Sequence, residues 1–232
     1  MVITIDGPAG AGKSTVARAL AARLGFDYLD TGAMYRAVAL AGIRAGVDWN
    51  RPEQLAAVAQ GIKLEFAGNR VLLNGEDVTE AIRSPEVTRA SRFAADNDAV
   101  RAHLITLQRR FAEGRNVVTE GRDQGSLVFP EAPVKFFLTA SPEERARRRW
   151  REYQAAGQSP SLDEVLRELL ARDARDEARA WGRLVKPPDA IEIDTDGLSV
   201  AEVVDRMEKI VREYLATGGQ KSKKLGDPQV GM

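Results

Sequence analysis

Eight consecutive residues, Gly7-Pro8-Ala9-Gly10-Ala11-Gly12-Lys13-Ser14, constrain this chain more than any other feature in it. They fit the pattern G-x-x-x-x-G-K-[ST], and their flanks are those the pattern needs. A β-branched run at residues 2–6 precedes them, and apolar residues at helical spacing (Val16, Ala17, Leu20, Ala21, Leu24) follow. Strand, glycine loop and helix in that order turn several backbone N–H groups inward, and the helix N-terminus adds a field that favours an anion. Residues 7–15, ending at Thr15, are therefore expected to hold the phosphates of a nucleoside triphosphate. Lys13 would bridge the β- and γ-phosphates, and the Ser14 hydroxyl would ligate Mg²⁺. The competing account is a glycine-rich turn with no ligand.

Composition narrows what else the chain can do. In 232 residues, 34 Lys and Arg balance 34 Asp and Glu, so no bulk positive field draws nucleic acid or anionic lipid, and an anion site has to be built locally. The absence of cysteine excludes disulfides, thiolate nucleophiles and Cys-ligated metals. The N-terminal residues show no export pattern, and the longest apolar runs fall far short of the ~20 residues needed to cross a bilayer. A cytoplasmic, monomeric protein with no nucleic-acid or membrane partner is the expectation.

Strands are expected at 2–6, 26–29, 116–120, 134–139 and 190–194, alternating with helices that begin at 13, 33, 52, 85, 98, 141, 161 and 199. Asn50 reads as a cap for the helix at 52, and Ser141 with Glu144 and Ser161 with Glu164 read as capping boxes. Alternation of this kind implies an α/β fold with a mostly parallel sheet flanked by helices. Residues 61–79 differ: Ile62, Leu64 and Phe66 alternate with polar residues, Gly68-Asn69 can turn, and an antiparallel hairpin insertion is expected. From residue 216 the chain has little to bury and reads as a disordered tail.

A kinase also has to align an acceptor with the triphosphate, and arginines from several segments are the usual means. Three segments supply them. Asp30-Thr31-Gly32-Ala33-Met34-Tyr35-Arg36 places an arginine one turn into a helix, and Glu120-Gly121-Arg122-Asp123 places another just past a strand end. In the third, Arg172, Asp176 and Arg179 lie at i, i+4 and i+7, so a helix running to about residue 181 would put them on one face, with Asp176 holding both guanidinium groups. A solvated charge run is the bland alternative for this cluster. The basic run Arg145 to Arg151, followed by Gly157-Gln158-Ser159-Pro160, is where a lid over the triphosphate is expected. Arg145 and Arg149 are its candidate ATP contacts, while Arg147 and Arg151 read as a solvated face. His103 and the three tryptophans read as packing or surface residues.

Together, GPAGAGKST from Gly7, DTGAMYRA from Asp30, GRDQGSLVFP from Gly121 and RDARDEAR from Arg172 closely resemble the bacterial cytidylate kinase family, over about residues 2–215. The resemblance implies a P-loop NTPase fold with a monophosphate-binding insertion and a short lid. It divides the chain into a discontinuous core (1–30, 84–140, 185–215), a monophosphate-binding region (31–83), lid helices (141–184) and the tail (216–232). It implies phosphorylation of CMP and dCMP by MgATP. Arg36, Arg122 and Arg179 would clamp the CMP phosphate. Ser91, Arg101 and Asp123 would read cytosine, whose N4 amino group is a donor where uracil presents a carbonyl. Arg172 and Asp176 would contact the pentose, Thr31 would complete the acceptor site, and Lys13, Arg122, Arg172 and Arg179 would act on the transferred phosphate. Gln124, Ser126 and Glu120 depart from the family's commonest residues. Kinases for UMP, dTMP or an alcohol are the nearest rivals. A GTPase switch is a poor match, because the one DxxG, at residues 194–197, is followed by no NKxD.

Overall fold

The β-branched run becomes the middle strand of a sheet. In the computed structural model, which describes residues 1–68, 70–155 and 157–218, β1 (Val2–Asp6) lies between two strands that arrive much later in the chain. The other strands of this sheet are β2 (Asp27–Asp30), β6 (Val117–Gly121), β7 (Val134–Thr139) and β8 (Ile191–Asp194), in the order β2-β6-β1-β7-β8. The pairs β1–β6, β1–β7 and β7–β8 are parallel, with Asp6 in register with Gly121 on one side and Phe137 on the other. Ile3, Thr4, Ile5 and Asp6 are all buried, as expected when helices cover both faces of a parallel sheet.

Helices close the connections. They are α1 (Lys13–Leu24), α2 (Thr31–Ala45), α3 (Pro52–Gly61), α4 (Pro85–Ala95), α5 (Asp98–Ala112), α6 (Pro142–Ala155), α7 (Leu162–Ala178) and α8 (Val200–Ala216). Gly25 ends α1 in the left-handed conformation, and full capping boxes start α7 at Ser161 and α8 at Ser199. The insertion is antiparallel, as its alternation predicts, but has three strands: β3 (Leu64–Ala67), β4 (Arg70–Leu73) and β5 (Glu76–Asp77). Its expected turn includes residue 69, which is outside the described residues.

The described residues fold as two compact units, one of 1–28 with the described chain from Asn116 to residue 218, the other Leu29–Arg115. The first is built on Ile3, Ile5, Val16, Leu20, Phe136, Leu138 and Met207. The second has its own core, in which Ala33, Ala37 and Leu40 of α2 meet Leu73, Val78, Ile82 and Val87, with the Trp49 side chain packed against it and stacked on Phe93 at 4.9 Å between ring centroids. Residues 84–115 belong to this second unit, and α6 and α7 to the first.

Several local expectations change. Arg51, which makes no side-chain capping hydrogen bond, occupies the cap position of α3, and the Asn50 side chain turns instead to Asp48, 3.1 Å away. The box at Ser141 is only half made: Ser141 Oγ accepts from Glu144 N, but the Ser141 N–H goes to Asp196 and Glu144 pairs with Arg148. Helix α7 stops at Ala178, leaving Arg179 just beyond it in an extended conformation, so the three-residue helix face is not formed as the spacing predicts. Helix α8 carries the chain to Ala216, and of the expected tail the residues from 219 on lie outside the described residues.

Candidate active site

The loop between β1 and α1 takes its course because two of its positions exclude side chains. Gly7 has φ +148°, and a Cβ there would lie 2.1 Å from the Leu138 carbonyl oxygen on the neighbouring strand. At Gly10 (φ +78°) a Cβ would press within 3.0 Å of the Arg145 Cβ and 3.3 Å of Leu169, so α6 and α7 back directly onto the loop. Lys13 is buried and folds back so that its Nζ donates to the Pro8 carbonyl at 2.7 Å. Burial, with the fields of Arg122 and Arg172 added, pulls its ammonium down to about 7, against the opposing pull of Glu120 and Asp6. Two of the arginines singled out by their motifs therefore stand close enough to the loop lysine to act on its charge.

Ser14 Oγ donates to Glu120 Oε1 at 3.0 Å. A hydroxyl beside a buried carboxylate, at the mouth of a phosphate loop, is a set of hard oxygen donors that suits Mg²⁺ held partly by the nucleotide. Among the described residues no group of three or more His, Cys, Asp or Glu side chains could hold a metal by itself. The motif that Glu120 opens gives it no role of its own in the sequence; its position at the end of the strand beside β1 is what brings it to Ser14.

Past β6 the chain makes a π-helical turn, Gln124–Val128, that hydrophobic periodicity does not predict. It hangs on Asp6, whose Oδ1 accepts from Gln124 N at 2.9 Å and whose Oδ2 accepts from Gly125 N at 2.7 Å. The turn sets the adjoining Arg122 and the buried Asp123. Asp176 then joins the two motifs: its Oδ2 accepts from Arg122 Nε at 2.8 Å and its Oδ1 from Arg179 Nη2 at 2.9 Å. Spacing pairs Asp176 with Arg172 and Arg179, whereas its carboxylate oxygens are taken by Arg122 and Arg179, and Arg172 contributes through its charge. Burial would raise the Asp176 carboxyl, but Arg122, Arg172 and Arg179 outweigh it and hold it below the usual carboxylate range. The result is a fixed cluster of guanidinium groups with one internal counter-charge, suited to phosphate oxygens.

The two candidate ATP contacts on α6 behave differently. Arg145 is buried against the loop, with Nη1 donating to the Ala9 carbonyl at 3.0 Å and Nε to the Ala140 carbonyl at 3.0 Å. It also pairs with Asp173, whose Oδ1 accepts from Ala9 N at 3.1 Å. Arg149 is not brought to the loop; it pairs with Glu152 at 2.7 Å and lies over the Tyr153 ring. Arg148 reaches Thr195 instead, through both its Oγ1 and its carbonyl. Asp6, Glu120 and Asp173 are the functional candidates the residue patterns do not single out. A carboxylate ending the strand that feeds the loop is the one available signal, for Asp6.

The second unit holds the remaining candidates. Asp30 caps α2 through Ala33 N at 2.8 Å and lies 3.5 Å from Arg36 Nη2. The Arg36 Nε is buried with no hydrogen-bond partner, an open donor of the kind a phosphate oxygen would fill. Thr31 is buried, and Ser91 Oγ donates to the Thr88 carbonyl at 2.8 Å. Arg101, also buried, donates from Nη1 to the Ala95 carbonyl at 3.2 Å and has its guanidinium carbon 5.8 Å from the Tyr35 ring centre.

Comparison with known proteins follows the same lines. The family model described as Cytidylate kinase matches residues 3–213. A cytidylate kinase from Rhodopirellula baltica is 47% identical over 96% of this chain and 97% of its own, and one from Pelotomaculum thermopropionicum is 54% identical over 87% of this chain and 92% of its own. Among solved structures, an uncharacterized protein from Eubacterium ventriosum superposes with a TM-score of 0.50 at 15% identity, covering 92% of this chain and 98% of that one. That likeness concerns the fold alone.

Proposed function

Since the chain belongs to the cytidylate kinase family, we propose that it transfers the γ-phosphoryl group of ATP directly to the phosphate of CMP or dCMP, giving ADP and CDP or dCDP. The observation that carries the mechanism is the electrostatic contact between the two halves of the chemistry: Lys13 of the loop feels Arg122 and Arg172, while Arg122 and Arg179 share Asp176.

Residues 7–15 hold the triphosphate through their backbone N–H groups, and Lys13 moves from Pro8 O onto the β- and γ-phosphate oxygens. Ser14 and Glu120, joined by a 3.0 Å hydrogen bond, would hold Mg²⁺, which would supply neutralisation of triphosphate charge when bound. An oxygen of the CMP phosphate attacks the γ-phosphorus in line with the bond to the β–γ bridging oxygen, which breaks and leaves with ADP. The attacking group is already an anion, so no general base is required. Charge that builds on the transferred group is met by Lys13, Arg122, Arg172 and Arg179.

Arg36 and Thr31 of the second unit and Arg122 and Arg179 of the first are assigned to the acceptor phosphate, and Arg172 and Asp176 to the pentose. Ser91, Arg101 and Asp123 read cytosine. The second unit's residues 31–83 serve the monophosphate, and residues 141–184 act as a lid whose root carries Arg145 against the Ala9 carbonyl, while Arg149, paired with Glu152, takes no part at the loop. Support for the acceptor roles comes from the open Arg36 Nε and the buried state of Arg101 and Asp123. No described helix is long and apolar enough to cross a membrane, and the balanced charge offers no bulk field to nucleic acid or anionic lipid, in keeping with small-molecule partners.

ADP release measured against a panel of CMP, dCMP, UMP and dTMP tests the assignment. Turnover is expected with the cytidine pair only, and Lys13→Ala should lower kcat by about 10³-fold or more. Faster turnover on UMP or dTMP, or ADP release that is indifferent to any acceptor, would replace this reading.

A further inference from the structure

One peptide of the phosphate loop is held by side chains that the reaction itself leaves unexplained. Ala9 lies between the two glycine positions that shape the loop, and both of its backbone groups are taken by one buried ion pair: Asp173 Oδ1 accepts from its N–H at 3.1 Å, and Arg145 Nη1 donates to its carbonyl at 3.0 Å. Arg145 and Asp173 pair with each other, and their side chains are only 6% and 9% exposed. Arg145 also grips the Ala140 carbonyl just past β7. Next to this peptide, Gly10 packs against Arg145 and Leu169, so no side chain can wedge the loop away from α6 and α7.

The two charged residues come from comparable places. Arg145 lies in the first turns of α6 and Asp173 in the last turns of α7, both at the end of the helix pair away from the connecting segment at 157–161. The pair therefore ties the root of the expected lid to the loop. Asp173 also follows Arg172 directly and precedes Asp176 by three residues, so the helix that carries the guanidinium cluster is pinned to the loop at that point.

A loop that grips phosphate with N–H groups has to present them in fixed directions, and a loop left to itself would lose affinity to the cost of ordering. A buried carboxylate bonded to a backbone N–H inside the loop supplies that order before any nucleotide arrives. We propose that Asp173 is a positioning residue for triphosphate binding, which, with Arg145, holds the Ala9 peptide and so keeps the phosphate loop in its binding shape and in register with Arg172 and Asp176. The inference rests on the loop being the ATP site, as assigned above.

Asp173→Asn keeps the size of the side chain but removes the charge that holds Arg145. Calorimetric titration with a non-hydrolysable ATP analogue should show a dissociation constant raised about tenfold or more, in protein whose circular dichroism is unchanged. Lys13→Ala serves as the reference for the underlying assignment. If Lys13→Ala loses affinity and Asp173→Asn stays within twofold of wild type, even with a lowered melting temperature, the positioning role is overturned while the ATP site stands. If Lys13→Ala binds as wild type does, the ATP assignment itself falls. Should Asp173→Asn not fold, amide exchange in the nucleotide-free wild type decides: the Ala9 N–H should exchange as slowly as those of β1, and exchange at the rate of an open loop would refute the clamp.

Discussion

Asp6 and Lys13 are buried seven residues apart in sequence, and each sits where its charge is costly. Burial pushes the Asp6 carboxyl up from its ordinary 3.8 to about 7, with the nearby Asp123 adding to the shift, against the two amides it accepts from and the charge of Lys13. The sign of the consequence follows from proton counting. Between pH 3.8 and 7 the folded state holds more protons at Asp6 than the unfolded chain does. The group's contribution to stability is therefore complete below that window and is lost as pH rises through 7. Asp6→Asn has no such loss, because an amide stays neutral. Urea unfolding of both proteins at about pH 5 and about pH 7.5 should show the variant gaining on the wild type as pH rises, by up to about 1.4 kcal/mol per pH unit, the limit for one proton. A gap that is the same at both pH values would mean that Asp6 is ionised throughout. The same change leaves one carboxylate oxygen fewer for Gln124 N and Gly125 N, so the variant should also lose cytidylate turnover through the loosened Arg122–Asp123 segment. Asp176 predicts differently: its pair of guanidinium partners is buried and uncompensated without it, and Asp176→Asn should cost about 3 kcal/mol of stability, read as a lower unfolding midpoint.

At the scale of elements, the parts whose signals are local were legible in advance. Ser199 accepts from Glu202 N, and Glu202 reaches back to the Ser199 N–H, so the start of α8 is stated by residues three apart. Ser199→Ala should cost about 1 kcal/mol of stability and leave kcat within twofold, since α8 contributes core residues such as Val203 and Met207 and a surface pairing of Asp205 and Glu208 with Arg23, and no candidate site residue. A loss of turnover larger than the loss of stability explains would tie α8 to the site. The same device is misleading at Ser141, where Asp196, from 55 residues away, takes the N–H that the box would use. Arg179 fails as a helix-face residue for a related reason: spacing reports which residues could share a face, not where the helix stops. Asp176 nonetheless captures it from outside the helix. The π-helical turn after β6 has no periodic signature because Asp6, 118 positions earlier, holds it. Asp173 belongs to a charge run that reads as a solvated helix face, and its bond to Ala9 spans 164 positions. Chemistry carried by contiguous motifs could be read from the chain, whereas the bonds that aim those motifs join segments that only the sheet brings together.

For the whole molecule, the division into two compact units with separate cores sets how substrate binding and unfolding are linked. Every residue of the phosphate loop, with Lys13, Ser14 and Glu120, belongs to the first unit, so under the proposed assignment the stabilisation that ATP brings enters there. Mass action puts that stabilisation at about 2.7 kcal/mol when ATP is present at about a hundred times its dissociation constant. Chains that contain more than one such unit commonly depart from a single two-state transition. The tryptophans offer separate probes. Trp49 packs against the core of the second unit and stacks on Phe93, whereas Trp150 and Trp181 lie in the first unit. A protein with Trp150 and Trp181 both replaced by Phe reports the second unit alone, and one with Trp49 replaced by Phe reports the first. Thermal unfolding of each, followed by fluorescence with and without saturating MgATP, should show the larger upward shift in the protein that keeps Trp150 and Trp181. Equal shifts in the two proteins would show instead that the units unfold as one cooperative body, with the free energy of triphosphate binding shared across both cores.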